Sequence, residues 1–217
     1  MIDRTTFGEA GAVLLRGPES ARYREAEWQH ELPVLHGASV TLRELEIEDA
    51  PSLVSMVSSE EVARFISPPP PTVEGFERFI EWARHERALG NGACFAVVPH
   101  GLDHAVGLFQ VRRLDDGFET AEWGFVLGSG FWNRGLFMAS AQLLLEFAFE
   151  TIGVHRLEAR AATSNPRGNG ALRKVGAVRE AIVRNGLVKD GQYLDQALWT
   201  LQDDEWRLAR RTPISVH

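Results

Sequence analysis

The segment from 119 to 140 constrains the fold most. It reads as a strand ending at Leu127, a loop bounded by Gly128 and Gly135, and an apolar helix opening at Leu136. The first N–H groups of such a helix have no partner within it. Together with the helix dipole they make a ready site for an anion. Gly135 lets a bound group approach the backbone, because no side chain intervenes. Arg134 beside it is either an added cation or a solvent-facing side chain. Physical chemistry therefore points to a phosphate or pyrophosphate cradle, although a tight strand-to-helix connection with no ligand satisfies the same spacing. The segment is not a P-loop, because no Gly-Lys-Ser/Thr follows the glycine. Nor is it a dinucleotide fingerprint, because the glycine spacing differs and no βαβ unit opens the chain.

The flanking sequence predicts a mixed α/β (α+β) domain. Val40 to Leu45 alternates apolar and polar residues as a half-buried strand does. Asp49 is placed to cap a helix beginning near Pro51, and Thr72 to cap one with Phe76, Phe79, Ile80 and Ala83 on one face. Three strands follow, Cys94 to Val98, Ala105 to Leu114 and about 118 to 127, with Asp115-Asp116-Gly117 as a hairpin turn. The helix from Leu136 to about Ile152 is apolar nearly all round, which predicts burial, and Gly153 can stop it. Beyond it lie a strand from Val154 to Ala162, a short helix from Asn165 to Val175, and two strands around Lys189-Asp190-Gly191. Residues 1–37 read as an N-terminal arm, 38–210 as the domain and 211–217 as a tail.

The chain has 217 residues, 44% hydrophobic and 24% charged, and a net charge of −7. That size suits one domain. The acidic balance argues against a general nucleic-acid binder and suits either a cationic substrate or plain solubility. No apolar run reaches the roughly 18 residues of a membrane span, and no signal core opens the chain, so a cytoplasmic location is expected. Cys94, alone in the chain, reads as a small buried hydrophobe. No metal site is expected of the histidines.

Four blocks carry a resemblance to a known family. They are Val40 to Arg43 with Glu48-Asp49-Ala50, Ala121 to Leu127, Phe131 to Leu136, and Asn165 to Ala177. Residues 38 to about 206 resemble the GNAT superfamily of N-acetyltransferases, in particular its Rim-like, ribosomal-protein-alanine branch. The resemblance implies a central mixed, mostly antiparallel, splayed sheet with helices on both faces. It implies acetyl-CoA as co-substrate and a primary amine, on a protein N-terminus or a small molecule, as acceptor. Pantetheine is expected along Phe125, Val126 and Leu127, and pyrophosphate at Asn133, Arg134, Gly135, Leu136, Phe137 and Met138. Asn165 is expected on the pantetheine arm, with Asn169 near the thiolate.

Glu122 matches the position of the general base, and Tyr193 is the substitute proton donor, since Gly168 and Leu172 stand where the family places Ser or Tyr. A thiolate with a pKa near ~8.5 can also leave without an acid. Phe137 departs from the small residue usual in the loop. These departures keep a second reading open, a CoA-binding sensor or interaction module without transferase activity. A homodimer is also open, because edge strands need cover.

Overall fold

The computed structural model describes residues 26–211. In chain order they form α1 (Glu27–His30), β1 (Leu35–His36), β2 (Val40–Glu44), α2 (Ala50–Val57), α3 (Glu60–Ala63), α4 (Val73–Ala88), β3 (Gly92–Pro99), β4 (Gly107–Arg113) and β5 (Thr120–Leu127). Then come α5 (Leu136–Glu146), a π turn (Phe147–Ile152), β6 (Arg156–Ala162), α6 (Pro166–Lys174), β7 (Val178–Lys189), β8 (Gln192–Gln202) and α7 (Asp203–Arg211). The strands make one eight-stranded sheet in the order β1-β2-β3-β4-β5-β6-β8-β7. Every neighbouring pair is antiparallel except β5 and β6.

Helices cover both faces, each over its own core. On one face α5, the π turn and α6 pack over Phe95, Phe109, Trp123 and Leu157. On the other, α2, α3 and α4 pack over Ala96, Val98 and Leu108 through Leu53, Val62, Phe76 and Ile80. The alternation of side chains along β3 and β4 divides the residues between the cores, which is why all eight residues of β3 are buried.

Local chemistry explains most boundaries. The Thr72 hydroxyl accepts the Gly75 N–H at 3.1 Å and starts α4. Asp190 and Gly191 both take positive φ, 49° and 74°, as a two-residue hairpin turn requires. Gly153, at φ 86°, ends the long apolar helix. That helix departs from the expected regular form, since its last six residues widen into a π turn. The wider turn places Phe147, Ala148 and Phe149 all inside, each 2% exposed or less. Residues 1–25 of the expected arm lie outside the described residues. From residue 26 onward the chain joins the sheet: Trp28 packs edge-on against Phe118 and Phe147, and β1 pairs with β2. Among the described residues no helix is long and apolar enough to cross a membrane.

Asp49 corrects an expectation. Its side chain makes no cap to α2. It is 2% exposed and takes Arg43 in a fork, with Nη1 and Nη2 donating at 2.7 and 2.8 Å. It also accepts the N–H groups of Glu46 at 2.9 Å and Ala105 at 3.2 Å, which ties β2 and α2 to the approach of β4. A buried, hydrogen-bonded carboxylate of this kind is expensive to remove, because both the guanidinium and the amides lose their partner. Asp49→Ala is expected to cost about 3–5 kcal/mol, read as a lowered midpoint of urea unfolding with an unchanged slope.

Candidate active site: a cleft through the sheet

β5 and β6 pair through only three residues, Thr120 with Arg156, Ala121 with Leu157 and Glu122 with Glu158. Beyond Glu122 the two strands diverge, although β5 continues to Leu127 and β6 to Ala162. Each therefore presents unpaired backbone groups to a wedge-shaped gap, and such groups require a partner. The helices following these strands, α5 and α6, both begin at the open end of the gap.

A cavity of about 890 Å³ fills this end. It is lined by Phe125, Val126 and Leu127 of β5, by Asn133, Gly135, Phe137 and Met138 of the loop and α5, and by Asn165. It reaches through the sheet, since Glu61, Phe65 and Ile66 at α3 line it as well. Gly135 precedes α5 with φ 79°, which only glycine adopts at little cost, and nothing lies within 4 Å of where its Cβ would stand. The free N–H groups of α5 thus face open space. The unpaired strand edges and the bare helix N-terminus together fit an extended molecule carrying a pyrophosphate.

Phe137 does not obstruct the loop. Its ring packs on Phe125 at 4.6 Å and on Phe109 at 5.9 Å, as part of an aromatic group on the α5 face that includes Trp123. Trp132 donates its indole N–H to the Leu127 carbonyl at 2.9 Å and pins the loop to the end of β5. Asn165 caps α6, its Oδ1 accepting the Gly168 N–H at 2.9 Å. A Cβ on residue 168 would stand 2.6 Å from Asn165 Nδ2, so glycine preserves this cap.

Several expected residues lie elsewhere. Leu136 is 6% exposed, with its side chain in the core. Arg134 lies over the Phe131 ring at 5.7 Å and does not line the cavity. Asn169 donates to the carbonyls of Ala162 and Asn165 at 2.8 and 2.7 Å and accepts from the Trp199 indole at 2.9 Å. All its hydrogen-bonding capacity in that direction is used in clipping α6 to the sheet. Tyr193 is 68% exposed near the β7–β8 turn and lines neither that cavity nor a smaller one near Arg173 and Arg179. Sequence reading also missed α3 as a wall, since a four-residue helix carries no periodic signal.

Glu122 stands at the apex of the gap, outside the cavity lining. Arg112 donates to its Oε2 at 2.7 Å and Arg160 to its Oε1 at 2.6 Å. Burial opposes its ionisation, yet the two guanidinium hydrogen bonds outweigh burial and hold the carboxyl below its usual pKa. The ladder continues across β6, where Arg160 and Arg156 both reach Glu158 at 3.1 Å, and Arg156 forks onto Glu180 at 2.9 and 2.7 Å. Cys94 is buried beneath the other core, and burial pushes its thiol up to about 12, which removes it as a nucleophile. His100 and His104 stand four residues apart but on a turn, and among the described residues no group of three or more His, Cys, Asp or Glu could hold a metal ion.

An open sheet, parted at its one parallel pair over the N-terminus of a buried helix, defines a protein that holds an extended, phosphate-bearing ligand through its middle. The family model described as Acetyltransferase (GNAT) domain matches residues 39–178. The chain belongs to that family and is an acetyl-CoA-dependent N-acetyltransferase. It is 24% identical over 176 residues to an uncharacterized N-acetyltransferase, p20, of Bacillus licheniformis, covering 81% of this chain and 99% of that one. It is 25% identical over 93 residues to the ribosomal protein uS5-alanine N-acetyltransferase of Escherichia coli, covering 43% of this chain and 48% of the relative. Among solved structures, Mycobacterium smegmatis RimJ in complex with CoA-disulfide superposes with a TM-score of 0.70 at 20% identity, covering 80% of this chain and 87% of that one.

The outer end of the ladder yields a pH prediction. Hydrogen bonds from Arg156, then Thr200, hold Glu180 at about 2 instead of its ordinary 4.5. Between those values the unfolded chain binds the extra proton, so stability rises with pH. The contribution of Glu180 is complete above about pH 4.5 and is lost as the pH falls toward 2. Glu180→Gln is expected to lower the urea midpoint at pH 7 and to converge with the wild type below pH 3, followed by tryptophan fluorescence.

Proposed function

We propose that the chain acetylates the primary amine of a protein N-terminus or of a small molecule, by direct attack within a ternary complex. The observation that carries this reading is the continuity of the cavity through the sheet. The α5–α6 side offers the cradle for the acetyl donor, and the α3 side leaves a separate approach for the amine. Two substrates can then be bound at once and react across the gap between β5 and β6.

The chemistry requires a neutral amine, because an ammonium with a pKa near ~10.4 has no lone pair to give. Glu122, through an intervening water, accepts the proton. Arg112 and Arg160 keep it ionised at every pH at which the enzyme would work, which makes it a weak base that is always available. The same pairing is its competing structural role, and the two roles are separable by kinetics. A backbone N–H at Val126 or Leu127 supports the developing oxyanion. The amine nitrogen bonds to the acetyl carbon, the C–S bond breaks, and the thiolate departs without an acid, in keeping with its low basicity. Tyr193 has no part in this scheme, since it lies away from the cavity.

Acetyl-CoA at a hundredfold excess over its dissociation constant is expected to stabilise the protein by about 2.7 kcal/mol, seen as a rise in melting temperature. Glu122→Gln is expected to keep that rise while lowering kcat on a peptide with a free N-terminal alanine by about 10²-fold or more. Full turnover in the variant would reduce Glu122 to a member of the ion-pair ladder.

A further inference from the structure

We infer that Lys174 binds the 3′-phosphate on the adenosine half of the donor, so that the enzyme distinguishes CoA from 3′-dephospho-CoA. The inference rests on the acetyltransferase reading and adds a specificity residue to it. It begins with the face that α6 turns to the cavity. Arg167, Gly170, Ala171 and Lys174 all line the cavity, and their spacing of i, i+3, i+4 and i+7 defines a single helical face. The two middle positions are bare, and nothing lies within 4 Å of where a Cβ on Gly170 would stand. A cation flanks this bare surface at each end.

The two cations differ in setting. Arg167 is stacked flat on Trp132, its guanidinium carbon 3.6 Å from the ring centroid. Trp132 is itself bonded to the end of β5, so the Arg167 charge is fixed at the mouth of the gap. Lys174 stands seven residues on, about 10 Å along the helix axis. Among the described residues it has no carboxylate partner. The carboxylates that line the cavity, Glu60 and Glu61, belong to α3 across the sheet. The α6 wall is therefore uniformly positive, with a trough between its charges that accepts a bulky, uncharged group such as a ribose or base.

The free N–H groups at the start of α5 already provide for the pyrophosphate. A second, separate cation on the facing wall matches a second phosphate in the same ligand. CoA carries one on its ribose, and 3′-dephospho-CoA lacks only that group. Charge-assisted contacts to phosphate are the stronger kind of hydrogen bond, and an exposed lysine offers its charge with little structural consequence.

Calorimetric titration of the whole chain with CoA and with 3′-dephospho-CoA tests the assignment. The wild type is expected to bind CoA at least tenfold more tightly. Lys174→Gln is expected to bind both ligands equally, at the wild-type affinity for 3′-dephospho-CoA, and Lys174→Arg to restore the preference. Arg167→Gln is expected to weaken both ligands alike. A purely structural Lys174 would lower the melting temperature of the glutamine variant and leave the preference intact. Equal binding of both ligands by the wild type, or a preference that survives Lys174→Gln, overturns the proposal while leaving the donor site standing. Binding of neither ligand overturns the acetyltransferase reading together with it.

Discussion

The molecule depends on the parting of its two parallel strands. A sheet ordinarily satisfies its backbone by continuing to pair, and β5 and β6 stop after Glu122 and Glu158 with several residues of each strand still to run. The cause lies on both sides of the gap. On the α5 face, Phe125 and Phe137 form an aromatic wedge backed by Phe109 and Trp123. At the open end, the Trp132 indole takes the Leu127 carbonyl and Asn165 turns the chain into α6. At the apex, Arg160 bridges Glu122 and Glu158 and holds the last pair closed. The gap is thus built by side chains, and the peptide groups it exposes are what an extended ligand can complete.

Charge is arranged around this gap in a consistent pattern. The apex carries an ion-pair ladder running from Arg112 to Glu180, in which carboxylates and guanidiniums alternate and stay ionised. The α6 wall carries cations only. The α3 wall carries Glu60 and Glu61 beside Arg64. The cavity has a pole that suits phosphate and another that suits an amine, although the chain as a whole carries a net charge of −7. The net value therefore says little about the donor, because the distribution overrides the sum at this range.

Much of the local structure was legible in the sequence. Thr72 and Asn165 cap the helices they were expected to open, Asp190 and Gly191 form the hairpin turn, and Gly153 stops the long apolar helix. Each of these depends on one residue's backbone preference or on a contact three positions away. The misses share the opposite property. Asp49 looked like a cap because it precedes a helix, but its partners include Ala105, 56 residues away. Trp28 looked like part of an arm, yet it fills a space bounded by Phe118 and Phe147. Asn169 and Tyr193 were placed near the chemistry by their position in the chain, and packing carried one into a clip and the other to the surface.

The sequence by itself determined that Gly135 would present a bare helix N-terminus, and which segments would be strands, because periodicity and φ preference are properties of neighbouring residues. Only the tertiary structure decided that three pairs join β5 to β6, that Phe137 turns inward onto Phe125, and that Glu122 is shared between Arg112 and Arg160. Those outcomes depend on which distant side chains compete for the same space and the same charge, and no spacing along the chain records that competition.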